Sequence, residues 1–143
     1  MKKLQALLIV FVLFTNCAVN RVTSNKSEAF IRLASGFKND TVSLNLNGTS
    51  IFKNEILNSK ENGITGNYVR IIDDTIVYYN KDSILKLNLQ ESNNDNVRIE
   101  VIIDNRPYSY VMYFNRGKYL FISKHSYYYN IYFNQFKKKP ELY

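Results

Sequence analysis

The sequence predicts a mainly β fold: an antiparallel β-sandwich, or small barrel, of about eight or nine short strands with one short N-terminal helix. Three observations carry this expectation. Apolar residues recur at every second position through most of the stretch from Thr41 to Phe136. Turn-forming clusters interrupt them at intervals of about 8–12 residues. The composition is rich in rings, with 12 Tyr and 9 Phe but no Trp, and poor in Gly (5) and Pro (2). Aromatic and β-branched side chains suit pleated, half-buried surfaces.

The elements follow in chain order. Asn25 and Glu28 have the spacing of a capping box. Ala29, Phe30, Leu33, Ala34 and Phe37 then recur with helical period, and Gly36 suits a helix end. This predicts a helix over about 26–36. Beyond Thr41 the period becomes two: Val42, Leu44 and Leu46 alternate with Ser43 and Asn45. Asn47-Gly48 is a strong hairpin signal, and Ile51-Phe52 follows it. Residues 54–66 read as a loop with a short strand at Ile56-Leu57. Tyr68–Ile72 and Thr75–Tyr79 flank a turn at Asp73-Asp74.

Leu85, Leu87 and Leu89 form one inward face, and Val97, Ile99, Val101 and Ile103 another. Ser92 to Asn96 is a polar loop between them. After a turn at Asp104–Pro107 come strands at Tyr108–Phe114, Lys118–Ile122 and Tyr127–Phe136. In the last of these, Tyr127, Tyr129, Ile131 and Phe133 are expected to point inward. Tyr128, Tyr132 and Phe136 lie on the opposite face.

The N-terminus reads as a targeting segment rather than part of the fold. Met1-Lys2-Lys3 is basic, and Leu4 to Phe14 is apolar except for Gln5. That run is too short for a bilayer core, which needs ~20 residues, but it suits a secretory signal. Phe14-Thr15-Asn16-Cys17 follows. It resembles the lipobox of bacterial lipoprotein signal peptides, with Asn16 standing where Gly, Ala or Ser is usual and Phe14 where Leu is usual. The resemblance covers about 17 residues and implies cleavage before Cys17, lipidation of its thiol and a membrane anchor. Ala18, in place of an Asp, leaves the outer membrane open as the destination. Two alternatives stand beside this: cleavage after Ala18, which gives a soluble exported protein, and an uncleaved anchor. The expected organisation is a signal peptide over 1–16, a polar tether over 17–26 and one domain over 27–143.

Charge and chemistry narrow the function classes. Lys2 and Lys3 account for two of the 19 basic residues; the other 17 against 12 acids leave +5. That is modest for a nucleic-acid binder. Cys17 is the sole cysteine, so neither an internal disulfide nor a cysteine metal site is expected. His125, the one histidine, falls in a turn and reads as a surface residue rather than a general base. Asp73 and Asp74 read as turn residues. Asn93, Asn94, Asp95 and Asn96 cluster oxygen ligands but lack EF-hand spacing and read as an Asn-rich turn. No Gly-rich phosphate loop or cofactor motif is present.

Recognition by a surface is the remaining lead. Between Asn105 and Tyr143, seven Lys or Arg stand against the single acid Glu141, among 13 Tyr or Phe residues. Tyr128, Tyr132 and Phe136 form a ring stripe; alternate residues on a strand face sit about 7 Å apart. Such rings give contact area at low entropy cost. The competing expectation is that they pack under the helix or against cross-strand neighbours. Lys137-Lys138-Lys139 reads as a guard against strand extension or a contact to anionic headgroups. The sequence therefore predicts a non-enzymatic, envelope-anchored protein-binding module without a cofactor, one form being an immunity or inhibitor protein. A glycan-binding module is the alternative.

Overall fold

A computed structural model describes residues 28–60, 63–72, 74–81, 83–89, 95–125 and 129–141. Cys17, Tyr128, Asp73, Asn93, Asn94, the 1–16 signal and the 17–26 tether lie outside the described residues. Among the described residues ten strands run in order: β1 (Ala29–Leu33), β2 (Lys38–Leu46), β3 (Thr49–Asn58), β4 (Tyr68–Ile72), β5 (Thr75–Tyr79), β6 (Ile84–Asn88), β7 (Asn96–Ile103), β8 (Arg106–Tyr113), β9 (Tyr119–Lys124) and β10 (Ile131–Phe136). They form a six-stranded sheet, β10-β9-β1-β4-β5-β6, and a four-stranded sheet, β3-β2-β7-β8. The two share one apolar core in a sandwich-like arrangement.

The expected N-terminal helix is corrected. Where it was expected, Ala29–Leu33 is strand β1, and no described residue is helical. Ala29, Ile31 and Leu33 are buried in the core while Phe30 and Arg32 point to the opposite face. Phe30 is itself half-buried among rings, so both faces of β1 look apolar in sequence and imitate a helical period. An isolated helix of that length is marginal in water. As a strand, the segment gains pairing on both sides, antiparallel with β4 and parallel with β9. The β1–β9 pair is thus a parallel exception in an otherwise antiparallel fold.

The turns explain the hairpins. Asn47 (φ 46°) and Gly48 (φ 77°) join β2 to β3, and Asp104 (φ 48°) and Asn105 (φ 65°) join β7 to β8. Both are two-residue connections with left-handed φ at each position, the geometry whose twist matches paired strands. The second turn is tighter than expected, so β8 starts at Arg106 and holds Pro107, tolerated because β8 is an edge strand.

The loop expected over 54–66 is also corrected, because β3 continues to Asn58. A bulge hid it. The β2–β3 register shifts between Val42 and Leu44, Asn54 takes a left-handed φ of 53°, and its N–H donates to Ser43 Oγ at 2.9 Å. Ile51 and Phe52 are consecutive yet both buried, which breaks the simple alternation.

Leu85 is 41% exposed, because β6 is the outer strand of the six-stranded sheet. Leu87 and Leu89 pack partly against the core. The last strand starts at Ile131, and Tyr129 is 59% exposed rather than inward. On that side the two sheets are tied by side chains. Tyr110 stacks on Phe133 at 5.1 Å and its hydroxyl donates to Gln135 Oε1 at 2.8 Å. Gln135 Nε2 donates in turn to the Tyr113 and Gly117 carbonyls.

Candidate functional site

Residues directly opposite in neighbouring strands share a face. Phe136 lies opposite Tyr119, Tyr119 opposite Phe30, and Phe30 opposite Arg70. Arg32 lies between Phe121 and Tyr68, and Tyr68 opposite Tyr79. The outward face of the six-stranded sheet is therefore a band of rings with two arginines set in it. The rings touch: Tyr79 on Tyr68 at 4.5 Å, Tyr68 on Phe30 at 5.2 Å, and Phe30 tilted to Tyr119 at 6.2 Å. Phe136 meets the Phe121 ring edge-on at 5.7 Å.

Of the ring stripe expected from sequence, Tyr132 and Phe136 do point outward on this face, 48% and 39% exposed. Their stripe runs into the band through the Phe136–Tyr119 pair.

A cleft of about 500 Å³ opens in the band. Phe30, Tyr68 and Tyr119 form its apolar wall. Among the described residues, Arg32, Arg70, Lys118 and Lys139 bring four cations to it, and Glu28 is the one acid. Gly117 positions part of this set. A Cβ there would stand 2.3 Å from the Phe136 carbonyl oxygen, so only glycine lets the turn before β9 close against the end of β10. That contact brings Lys118 and Lys139 to one rim.

The two arginines differ. Arg70 donates through Nε (2.9 Å) and Nη2 (2.5 Å) to Glu28 Oε1, which raises its pKa further. Arg32 has no hydrogen-bond or ion-pair partner among the described residues. Its guanidinium lies over the Phe30 and Tyr68 rings at 5.1 and 5.4 Å, and its Nε is buried without an acceptor. Burial lowers its pKa. Cation–ring contact offsets only part of that desolvation.

Two other polar clusters tie strands together, and Glu55 and Asn67 of the second also line a smaller cleft of about 340 Å³. Asp40, 4% exposed, pairs with Lys124, which also lies 3.7 Å from Asp104. On the other side, the Tyr78 hydroxyl donates to Glu55 Oε2 at 2.6 Å, and Asn67 Nδ2 donates to both groups. Burial pushes the Tyr78 hydroxyl well above its ordinary value, and the Glu55 acceptor adds to this. The phenol therefore contributes full stability below its unfolded pKa of ~10, and that contribution is lost as pH rises toward the folded value. Tyr78→Phe is expected to lower stability by about 1–2 kcal/mol at pH 7. At pH 11 the deficit should shrink by about 1.4 kcal/mol, since only the wild-type unfolded state gains an ionised phenol here. Urea titrations at both pH values measure this; an unchanged deficit contradicts it.

His125 follows β9, and its backbone N–H donates to the Asn130 carbonyl at 3.0 Å. Asp74 sits in the β4–β5 turn with φ 64°. Asp95 accepts the Phe114 N–H on its carbonyl, and Asn96 begins β7. Among the described residues no three His, Cys, Asp or Glu side chains converge as a metal site, and no helix is long and apolar enough to cross a membrane.

Sequence reasoning missed Glu28, Phe30, Arg32 and Arg70. The available signal was the alternation of Phe30 and Arg32 with Ile31 and Leu33, overridden by the apparent helical period. No protein-family model matches the chain, and neither a curated protein nor a solved structure matches it.

Proposed function

We propose that this chain is a non-enzymatic binding protein, held in the cell envelope through Cys17, that takes an acidic protein partner on the outward face of its six-stranded sheet. The observation that carries this reading is the charge of the ring-walled cleft: among the described residues, four cations face it against one carboxylate. An acidic partner complements that excess, which favours encounter and orientation. Exposed Tyr132 and Phe136 extend the contact area along β10. An inhibitor or immunity protein is one form such a module takes. The glycan reading is weaker on a specific ground. Sugar rings stack on exposed aromatic faces, whereas Phe30, Tyr68 and Tyr79 stack on one another.

Site-directed photo-crosslinking in the native host tests the docking face. A photoreactive residue replacing Asn134, outward on β10, is expected to capture a defined acidic protein. The same residue replacing Ser109, outward on the four-stranded sheet, is expected to capture none. Adding Tyr132→Ala should lower the yield about tenfold, the effect of a tyrosine anchor of roughly 1–2 kcal/mol. Equal capture from both sheets, or no change with Tyr132→Ala, would overturn the reading.

A further inference from the structure

Arg32 is the unusual residue of the cleft. Arg32 is half-buried, and an enclosed guanidinium nitrogen is ordinarily met by a carboxylate, a carbonyl or ordered water. Here two rings cover it, Nε is enclosed and unsatisfied, and no described acceptor reaches it. With Nε enclosed, the terminal Nη groups are what remains for a ligand entering the cleft. Arg70, Lys118 and Lys139 stand around the same space.

The Glu28–Arg70 pair shows which anion the cleft suits. One carboxylate oxygen of Glu28 accepts both Nε and Nη2 of Arg70. A carboxylate therefore already fits this fork, on an open rim where the Glu28 side chain is exposed to solvent. Guanidinium–carboxylate pairs are short, charge-assisted and directional. Beside apolar walls they lose less to water than on an open surface.

The geometry points to a carboxylate-binding site centred on Arg32, with Arg70 as second donor after Glu28 yields it, and Phe30, Tyr68 and Tyr119 flanking the bound group. It rests on the docking reading above, since the partner supplies the carboxylate. Two sources share that chemistry: an acidic side chain and a chain-terminal carboxylate.

The test uses two peptides, followed through the backbone amide NMR resonances of Phe30, Tyr68 and Tyr119 in the full chain and its variants, with the Arg32 Nε–Hε resonance as a further reporter in the wild type. One carries a glutamate side chain with both ends blocked. The other is neutral apart from a free C-terminal carboxylate. Saturable shifts with either are expected, and the stronger binder names the source. A blocked glutamine peptide should give none. Arg32→Met should weaken binding about tenfold or more, as loss of a charge-assisted pair does, with a melting temperature equal to or above wild type because an unsatisfied cation is removed.

Arg32→Lys keeps the charge but loses the planar donor fork, so it should also weaken binding while remaining folded. Glu28→Gln should tighten binding severalfold by releasing Arg70; a merely structural role for Glu28 would not. Absence of a saturable shift with both peptides, a response to inorganic phosphate alone, or unaltered affinity in both Arg32 variants would overturn the site. Peptide binding without any crosslinked partner would instead sink the docking reading and leave the carboxylate site standing. Crosslinking that persists while neither peptide binds would do the reverse.

Discussion

Gly36→Ala is expected to remove about 4 kcal/mol or more of folding free energy, enough to unfold a domain of ordinary stability. Gly36 lies between β1 and β2 with φ +87°. A Cβ built there stands 1.6 Å from the Lys124 carbonyl oxygen and 2.6 Å from its carbon. Backbone meets backbone, so no side-chain rotation relieves the clash. Separating the two chains would break the hydrogen bonds that extend the β1–β9 pair, from Ala34 N–H to Ile122 and from Lys124 N–H to Ser35. The left-handed φ adds about 1–2 kcal/mol for any residue with a Cβ. Gly48→Ala isolates that last effect, because Gly48 has φ +77° but no atom within 4 Å of its Cβ position. Urea or thermal unfolding of both variants measures the difference. Equal deficits would refute the close-approach account.

The second large effect concerns the ion pair beneath that same contact. Asp40→Ala is expected to lower stability by about 3–5 kcal/mol, because it strands the ammonium of Lys124 with little water. The side chains of Lys124 and Asp40 are only 12% and 5% exposed. Asp104, 3.7 Å away and 40% exposed, is a poor substitute. Asp40→Leu with Lys124→Met should lose less than Asp40→Ala alone, since neither charge remains to be satisfied.

The acid limb gives an independent check. Burial by itself raises the Asp40 pKa, but the Lys124 ammonium, the Lys38 N–H and Asp104 outweigh it and hold the carboxyl below its ordinary range. Its stability contribution is therefore complete above the unfolded value of ~3.9 and is lost as pH falls through the lower folded value. The deficit of Asp40→Ala should shrink progressively below pH ~4. A deficit that grows in acid would show that the sign of the coupling is wrong.

Particular residues show what could be read in advance. Val97, Ile99, Val101 and Ile103 alternate cleanly with polar neighbours, and β7 buries all four. Asn47-Gly48 marks a hairpin and makes one. Both are local signals, set by a two-residue side-chain period and by which residues tolerate φ > 0. The misreadings arose where a local signal was doubled or broken. Phe30 gave β1 a second apolar face, and the register shift between Leu44 and Asn45 put Ile51 and Phe52 out of phase. Leu85 alternates like a core residue, but β6 is an edge and leaves it exposed.

The candidate face divides the same way. Tyr132 and Phe136 could be assigned to one side of β10 from their even spacing. The cleft could not, because its members come from four separated stretches of chain: Glu28 to Arg32, Tyr68 to Arg70, Lys118 to Tyr119, and Lys139.

By itself the sequence determined a strand-built domain, its tight turns and the inward face of most strands, since each depends on spacing along a few neighbouring residues. Only the tertiary structure decided that β1 sits between β9 and β4, that the rings of the outward face touch, and that Arg32 lies among them with no carboxylate partner among the described residues. Pairing across long intervals is selected by the combined burial of both sheets, and no short stretch of chain encodes that sum.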